Sequence, residues 1–184
     1  MNFIKDELEH LSNDKICEGL QFYSLYLLLF ERFKNMVVEN VKLLLCSFSI
    51  EDGKEKYKES SEYIKLKNKK YNGKRNIFLS SIEWMKNNNV NTQYEQDLVV
   101  KCRTDRNNIG HETLDVLFHY NKKEMLNRFI ELFKIYDKVD KWWVIEYEKP
   151  MADVDYRNVD FDNVMSGDLL MIRTLINNLY GDKN

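Results

Sequence analysis

Leu25-Tyr26-Leu27-Leu28-Leu29-Phe30-Glu31-Arg32-Phe33-Lys34-Asn35-Met36-Val37-Val38-Glu39-Asn40-Val41-Lys42-Leu43-Leu44-Leu45 sets the fold class. Its apolar positions Leu25, Leu28, Leu29, Phe33, Met36, Val37, Val41, Leu44 and Leu45 recur at intervals of three and four. Glu31, Arg32, Lys34, Asn35, Glu39 and Lys42 fill the gaps, which is the period of a helix with one apolar face. Ser12-Asn13-Asp14 supply three N-cap candidates in front of it. The pattern predicts one long helix from there to about Phe48, the central helix of a bundle.

Working outward, a short helix is expected over Phe3–Leu11. Between Glu51 and Arg75 the sequence leaves the core and turns basic, with tyrosines interleaved. Asn76 is placed to cap a helix through Lys86, Asn87-Asn88-Asn89 breaks it, and Thr92 starts another carrying Leu98, Val99 and Val100. The segment Arg106–His111 is expected to follow that helix, with a further helix from about Glu112 to His119. After Asn121 a second long helix carries Leu126, Phe129, Ile130, Phe133, Ile135, Tyr136 and Val139 to Trp142 and Trp143, and ends before Pro150. An acidic, irregular stretch spans Asp153–Asp168, and Ser166–Tyr180 closes the chain as an amphipathic helix with Leu169, Leu170, Ile172, Leu175, Ile176 and Leu179. The expectation is an all-α, single-domain helical bundle over residues 1–184, built on two long antiparallel helices. Its core covers about residues 14–148, with the basic excursion at 51–75 and the last helix at about 166–180.

Composition agrees with that class. The chain has 184 residues, 43% hydrophobic and 32% charged, so it can bury a core without disulfide or metal staples. One proline and six glycines leave little punctuation for a multi-stranded β protein. Cys17, Cys46 and Cys102 are few, widely spaced and set among apolar residues, and read as reduced core thiols. A reducing, cytoplasmic setting fits them. The first ten residues carry acids where a signal peptide needs an apolar core, and Glu31, Arg32 and Lys34 interrupt the longest apolar stretch, so neither export nor a membrane span is expected. A formal net charge of −2 excludes a globally basic nucleic-acid binder and leaves local patches open.

The stretch with chemical content is Arg106-Asn107-Asn108-Ile109-Gly110-His111. Histidine titrates near neutrality and can move protons at a ribose 2′-hydroxyl or a leaving 5′-oxygen. A guanidinium holds a phosphate bidentately and offsets charge developing there. In a helical turn Arg106, Asn107 and His111 could reach one polar edge. Together they suit phosphodiester cleavage without a metal or cofactor.

With an arginine, a polar residue directly after it and a histidine four positions beyond that, the segment resembles the HEPN superfamily of small helical bundles. The resemblance spans about residues 14–148, and only the six-residue motif is diagnostic. It implies a metal-independent ribonuclease of a toxin, abortive-infection or other antiviral system, with Arg106, Asn107 and His111 catalytic. It also implies a homodimer in which two motifs face each other, and an antitoxin or regulatory protein as a further partner. One subgroup carries a tyrosine two residues after the histidine where a partner nucleotidyltransferase attaches nucleotide. Thr113 stands there and departs from it.

Other readings stay open beside this one. Arg106 could instead cap a helix or pair with an acid such as Asp105 or Glu112, and His111 be an ordinary residue at the N-terminus of the following helix, behind Gly110. His111, Asp115 and His119 share a spacing of four, yet three ligands along one straight helix span too far to chelate one ion well. Lys54, Lys56, Lys65, Lys67, Lys69, Lys70, Lys74 and Arg75, with Tyr57, Tyr63 and Tyr71, could track an RNA backbone and stack bases, or form a solvated face. Glu31 is either an acid near the site or a plain exposed glutamate. Trp142 and Trp143 cannot face one way on a helix, so one is expected in the core and the other toward a partner. A non-catalytic helical module that binds a partner protein or RNA in a toxin–antitoxin or defence pair is the alternative function.

Overall fold

The computed structural model describes residues 13–112, 122–151 and 159–180, and it is mostly helical. Helix α1 runs Asn13–Leu45. Two antiparallel strands follow, β1 (Cys46–Glu51) and β2 (Lys54–Glu59), then helix α2 (Ser61–Asn68) and a minimal hairpin of β3 (Lys70–Tyr71) and β4 (Lys74–Arg75). Helices α3 (Ile77–Asn87), α4 (Gln93–His111) and α5 (Lys122–Trp143) complete the bundle, and α6 (Gly167–Tyr180) closes it. The expected helix over Phe3–Leu11, the cap at Asn121 and all but the first residue of the expected helix from about Glu112 to His119 lie outside the described residues, Glu112 itself being the C-cap of α4.

The core forms because α1 is apolar along a stripe of Tyr23, Tyr26, Phe30, Phe33, Val37 and Val41, all buried. Phe30 and Phe33 meet Phe78 of α3 edge-on, and Phe33 also meets Tyr136 of α5 at 5.6 Å between ring centroids. The two long helices are α1 and α5, and they are not antiparallel. Ring contacts advance along both in the same direction, from Phe22–Phe129 to Phe33–Tyr136. The antiparallel partner of α5 is α4, where Glu95 reaches Lys138 and Asp105 reaches Arg128.

Local signals explain most of the boundaries. Asn76 accepts from the Leu79 amide and caps α3. Thr92 and Glu95 form a reciprocal capping box at the start of α4. At the other end of the bundle, Asp140 of α5 accepts from the Ser166 amide at 2.7 Å, tying the entrance of α6 to α5. Burial pushes the Asp140 carboxyl up, partly opposed by the Ser166 bonds.

Several expectations are corrected by these elements. The first long helix stops at Leu45 rather than near Phe48, because Cys46–Glu51 pairs with Lys54–Glu59 as a hairpin. Asp52 and Gly53 both take positive φ (54° and 71°), as do Asn72 and Gly73 (49° and 77°), the pattern of two-residue turns that match the twist of paired strands. The basic excursion is therefore folded: Tyr63 and Leu66 of α2 are buried, and the Trp84 indole donates to Glu62. The second long helix does not end before Pro150. A π turn over Val144–Glu148 carries it into Lys149–Met151. There the Lys149 amide reaches back to the Val144 carbonyl. Cys46 and Cys102 are buried thiols as expected, whereas Cys17 is exposed. Leu126 and Ile130, read as core, are nearly half exposed at 46% and 43%. Trp143 is buried and stacks on Tyr147, and Trp142 is partly buried beside it. Among the described residues no helix is long and apolar enough to cross a membrane.

Candidate functional site

Arg106, Asn107 and His111 do not follow α4 but form its last turn and a half, ending at a C-cap in which the Glu112 amide donates to the Asn108 carbonyl at 2.7 Å. Gly110 sits in ordinary helical backbone with open space around it, so no tight turn separates arginine from histidine. On a continuous helix, residues five apart are turned about 140° around the axis, and residues four apart about 40°. Asn107 and His111 therefore share one edge, with Arg106 turned away from it. Arg106 and Asn107 are half-buried and His111 is exposed. The sequence-level expectation of all three on one polar edge holds for Asn107 and His111 alone.

Arg106 is instead aimed at α1. Its Nε donates to Glu31 Oε1 at 2.6 Å, and its Nη1 lies 3.4 Å from Asn107 Oδ1. Glu31 is thus neither a plain exposed glutamate nor a neighbour in sequence: it is the partner of Arg106 from 75 residues away. The other oxygen of the same carboxylate accepts from Lys34 Nζ at 2.9 Å. Burial pushes the Glu31 carboxyl up, but the bonds from Lys34 and Arg106 more than offset it and hold it below its usual range. Leu27, Glu31, Lys34 and Val38 are all half-buried and run at intervals of four and three along the border of α1. Lys34 escaped sequence reading. Its signal was its spacing of three from Glu31, which puts the two heads on one helix face.

Directly beneath lies a buried polar cluster. Asp105, 3% exposed, takes both ends of the Arg128 guanidinium, at 2.5 and 3.0 Å. It also accepts from the Tyr26 hydroxyl at 2.8 Å. Asp105 is not the partner of Arg106, which pairs with Glu31. Its place on the apolar stripe Leu98, Cys102, Asp105, Ile109, where all four are buried, was the legible sign of a buried acid that needs a cation. Burial pushes the Tyr26 hydroxyl up, with Cys102 and Asp105 adding to it. Burial likewise raises the Cys102 thiol to about 11, so that it stays protonated and unreactive near neutrality. Burial works against the Arg128 charge, yet Asp105 holds that guanidinium even more firmly protonated than usual.

The basic excursion is resolved into faces. Across the β1–β2 register Phe48 pairs with Tyr57, while Lys58 and Lys56 stand opposite Ser47 and Ser49. Side chains alternate between faces along a strand, so these lysines project away from the aromatic pair rather than beside it. Tyr57 is also covered by Lys42 at 4.3 Å from its ring centre. Lys56, Lys67 and Lys69 are paired with Glu51, Glu59 and Glu83, whereas Lys54, Lys65, Lys70, Lys74 and Arg75 are exposed. Tyr63 is buried, and the Tyr71 hydroxyl donates to Glu83. Fourteen residues of helix separate Glu31 from the end of α1, roughly 20 Å. The hairpins are therefore remote from Arg106 along that helix.

Among the described residues no group of three or more His, Cys, Asp or Glu side chains is arranged to hold a metal ion. Asp115, His119 and Thr113 lie outside the described residues. No protein-family model, no curated protein and no solved structure matches this chain.

Proposed function

We propose that this protein is a metal-independent endoribonuclease of the HEPN type, acting as a toxin or an antiviral-defence effector. The observation that carries the proposal is the half-buried Arg106, oriented by Glu31 and next to Asn107, with Asn107 one turn from an exposed His111 at the C-terminal end of α4. In the reaction, a ribose 2′-hydroxyl gives up its proton and attacks the adjacent phosphorus. The 5′-oxygen leaves with a proton, and a 2′,3′-cyclic phosphate remains. His111 transfers the proton, Arg106 offsets charge on the phosphoryl oxygens, and Asn107 positions by hydrogen bonding. Because the helical spacing turns His111 away from Arg106, a homodimer completes the site in this proposal, with two motifs facing each other across one RNA. The excursion lysines and Arg75 extend the contact to RNA backbone.

A non-catalytic helical module is the second reading. It is favoured by the angle between Arg106 and His111 and by an apolar groove of about 420 Å³ walled by Phe22, Leu126, Ile130 and Tyr180. Purified protein incubated with total cellular RNA in excess EDTA, beside Arg106→Ala and His111→Ala, separates the two. Cleavage by the wild type and loss of it in both variants, with unchanged far-UV circular dichroism, is the expected result. Cleavage by His111→Ala at the wild-type rate sinks the ribonuclease reading, and intact RNA with the wild type moves the binding module ahead.

A further inference from the structure

The structure assigns Lys34 a place in the same site: we propose that it is the second cation on the scissile or adjoining phosphate, held beside Arg106 by the shared carboxylate of Glu31. This rests on the RNA-directed reading above and adds a residue to it. The Glu31 oxygens are used one each, Oε1 by Arg106 at 2.6 Å and Oε2 by Lys34 at 2.9 Å, so both cationic heads lie against one small anion. Charge arithmetic favours a role for Lys34. Arg106 with Glu31 is a neutral pair, and the C-terminal turn of α4 carries the negative end of the helix dipole, which disfavours a phosphate. Lys34 brings the trio to a net positive charge.

Geometry supports the same division of labour. Side-chain exposures of 34% for Arg106, 39% for Lys34 and 33% for Glu31 leave all three side chains partly accessible from solvent. Nε of Arg106 is engaged by Glu31, which fixes the plane of the guanidinium while its Nη edge is the one that meets Asn107. Lys34 has three donors on a flexible stem and spends one on Glu31, so it binds phosphate as a point charge where Arg106 binds by its fork. Glu31 is accordingly a positioning residue that touches no substrate, and Lys34 is a binding residue.

The test measures binding without cleavage. A fluorescent, fully 2′-O-methylated single-stranded RNA is titrated with full-length protein at several sodium chloride concentrations. Wild type, Lys34→Gln, Lys34→Arg and Lys134→Gln are compared. Lys134 is an exposed lysine on α5 paired with Glu131. Every phosphate that a cation ceases to neutralise lowers the slope of log affinity against log salt by about 0.7 for a single strand. Lys34→Gln is expected to show about that reduction in slope for each of the two Lys34 side chains that the dimer sets against the RNA and to bind more weakly at low salt, with Lys34→Arg restoring both and Lys134→Gln changing neither. Wild-type slope and affinity in Lys34→Gln overturn the proposal, as does failure of the wild type to bind at low salt. Parallel incubation with unmethylated RNA keeps the readings apart: binding with the slope change but no cleavage removes the ribonuclease reading and leaves Lys34 a phosphate ligand.

Discussion

Asp105 is a charged residue at a position the helix repeat assigns to the core, and its neighbours make that tolerable. Arg128 and Tyr26 satisfy it from α5 and α1, so a single carboxylate couples three helices one residue away from Arg106. Removing one partner from such a cluster costs more than the net contribution of the pair, because the other charge stays buried without compensation. Asp105→Ala is therefore expected to lower unfolding stability by about 3 kcal/mol. Tyr26→Phe, which deletes one hydrogen bond and leaves Arg128 paired, costs about 1 kcal/mol. Urea denaturation of both variants checks the ranking, and equal losses would show that the ion pair adds nothing beyond its shape. The Asp105 stripe could be read from the sequence, since Leu98, Cys102 and Ile109 frame it. Arg128 as its partner could not, because 23 residues and a change of helix separate them.

At the scale of the element, local chemistry was the better guide, and it was most reliable where a side chain satisfies backbone groups next to it. Asn76 and Thr92 begin α3 and α4 as expected because an N-cap is decided within four residues. Thr92→Ala removes one half of a capping box whose other half, Glu95, also holds Lys138 of α5 at 2.9 Å. A loss of about 1 kcal/mol is expected from thermal unfolding. A negligible change would mean that the α5 contact alone keeps Glu95 in place. The hairpins were equally local and were missed: Asp52-Gly53 and Asn72-Gly73 are the dipeptides that two-residue turns demand, each between residues able to extend. Lysine richness suggested an open excursion, and the turn pairs outweigh that signal. The run past Pro150 went the other way. A proline removes one amide from the regular ladder, and the wider π turn lets the helix continue around it.

For the whole molecule, Phe33 stands where the packing converges. It is fully buried and touches Phe78 of α3 and Tyr136 of α5 from its place on α1. Phe33→Ala opens a cavity that three helices must share, and about 3–5 kcal/mol of stability is expected to go with it. Because those helices meet in one core, far-UV circular dichroism and the fluorescence of Trp84, Trp142 and Trp143 are expected to report one common urea midpoint. Separate midpoints would mean that α3 or α5 unfolds by itself. Local sequence was enough to show that the chain is helical, where several of its helices start and which face of α1 is apolar, and it singled out Arg106, Asn107 and His111 without showing that Arg106 turns away from the other two. Periodicity, capping and composition are properties of a few adjacent residues, so they are written locally. Packing alone set α1 and α5 running in the same direction, joined Asp105 to Arg128, and brought Arg106 and Lys34 onto Glu31. Those pairings depend on how helices far apart in the chain are rolled against one another, and that roll is settled by burying all their apolar stripes at once.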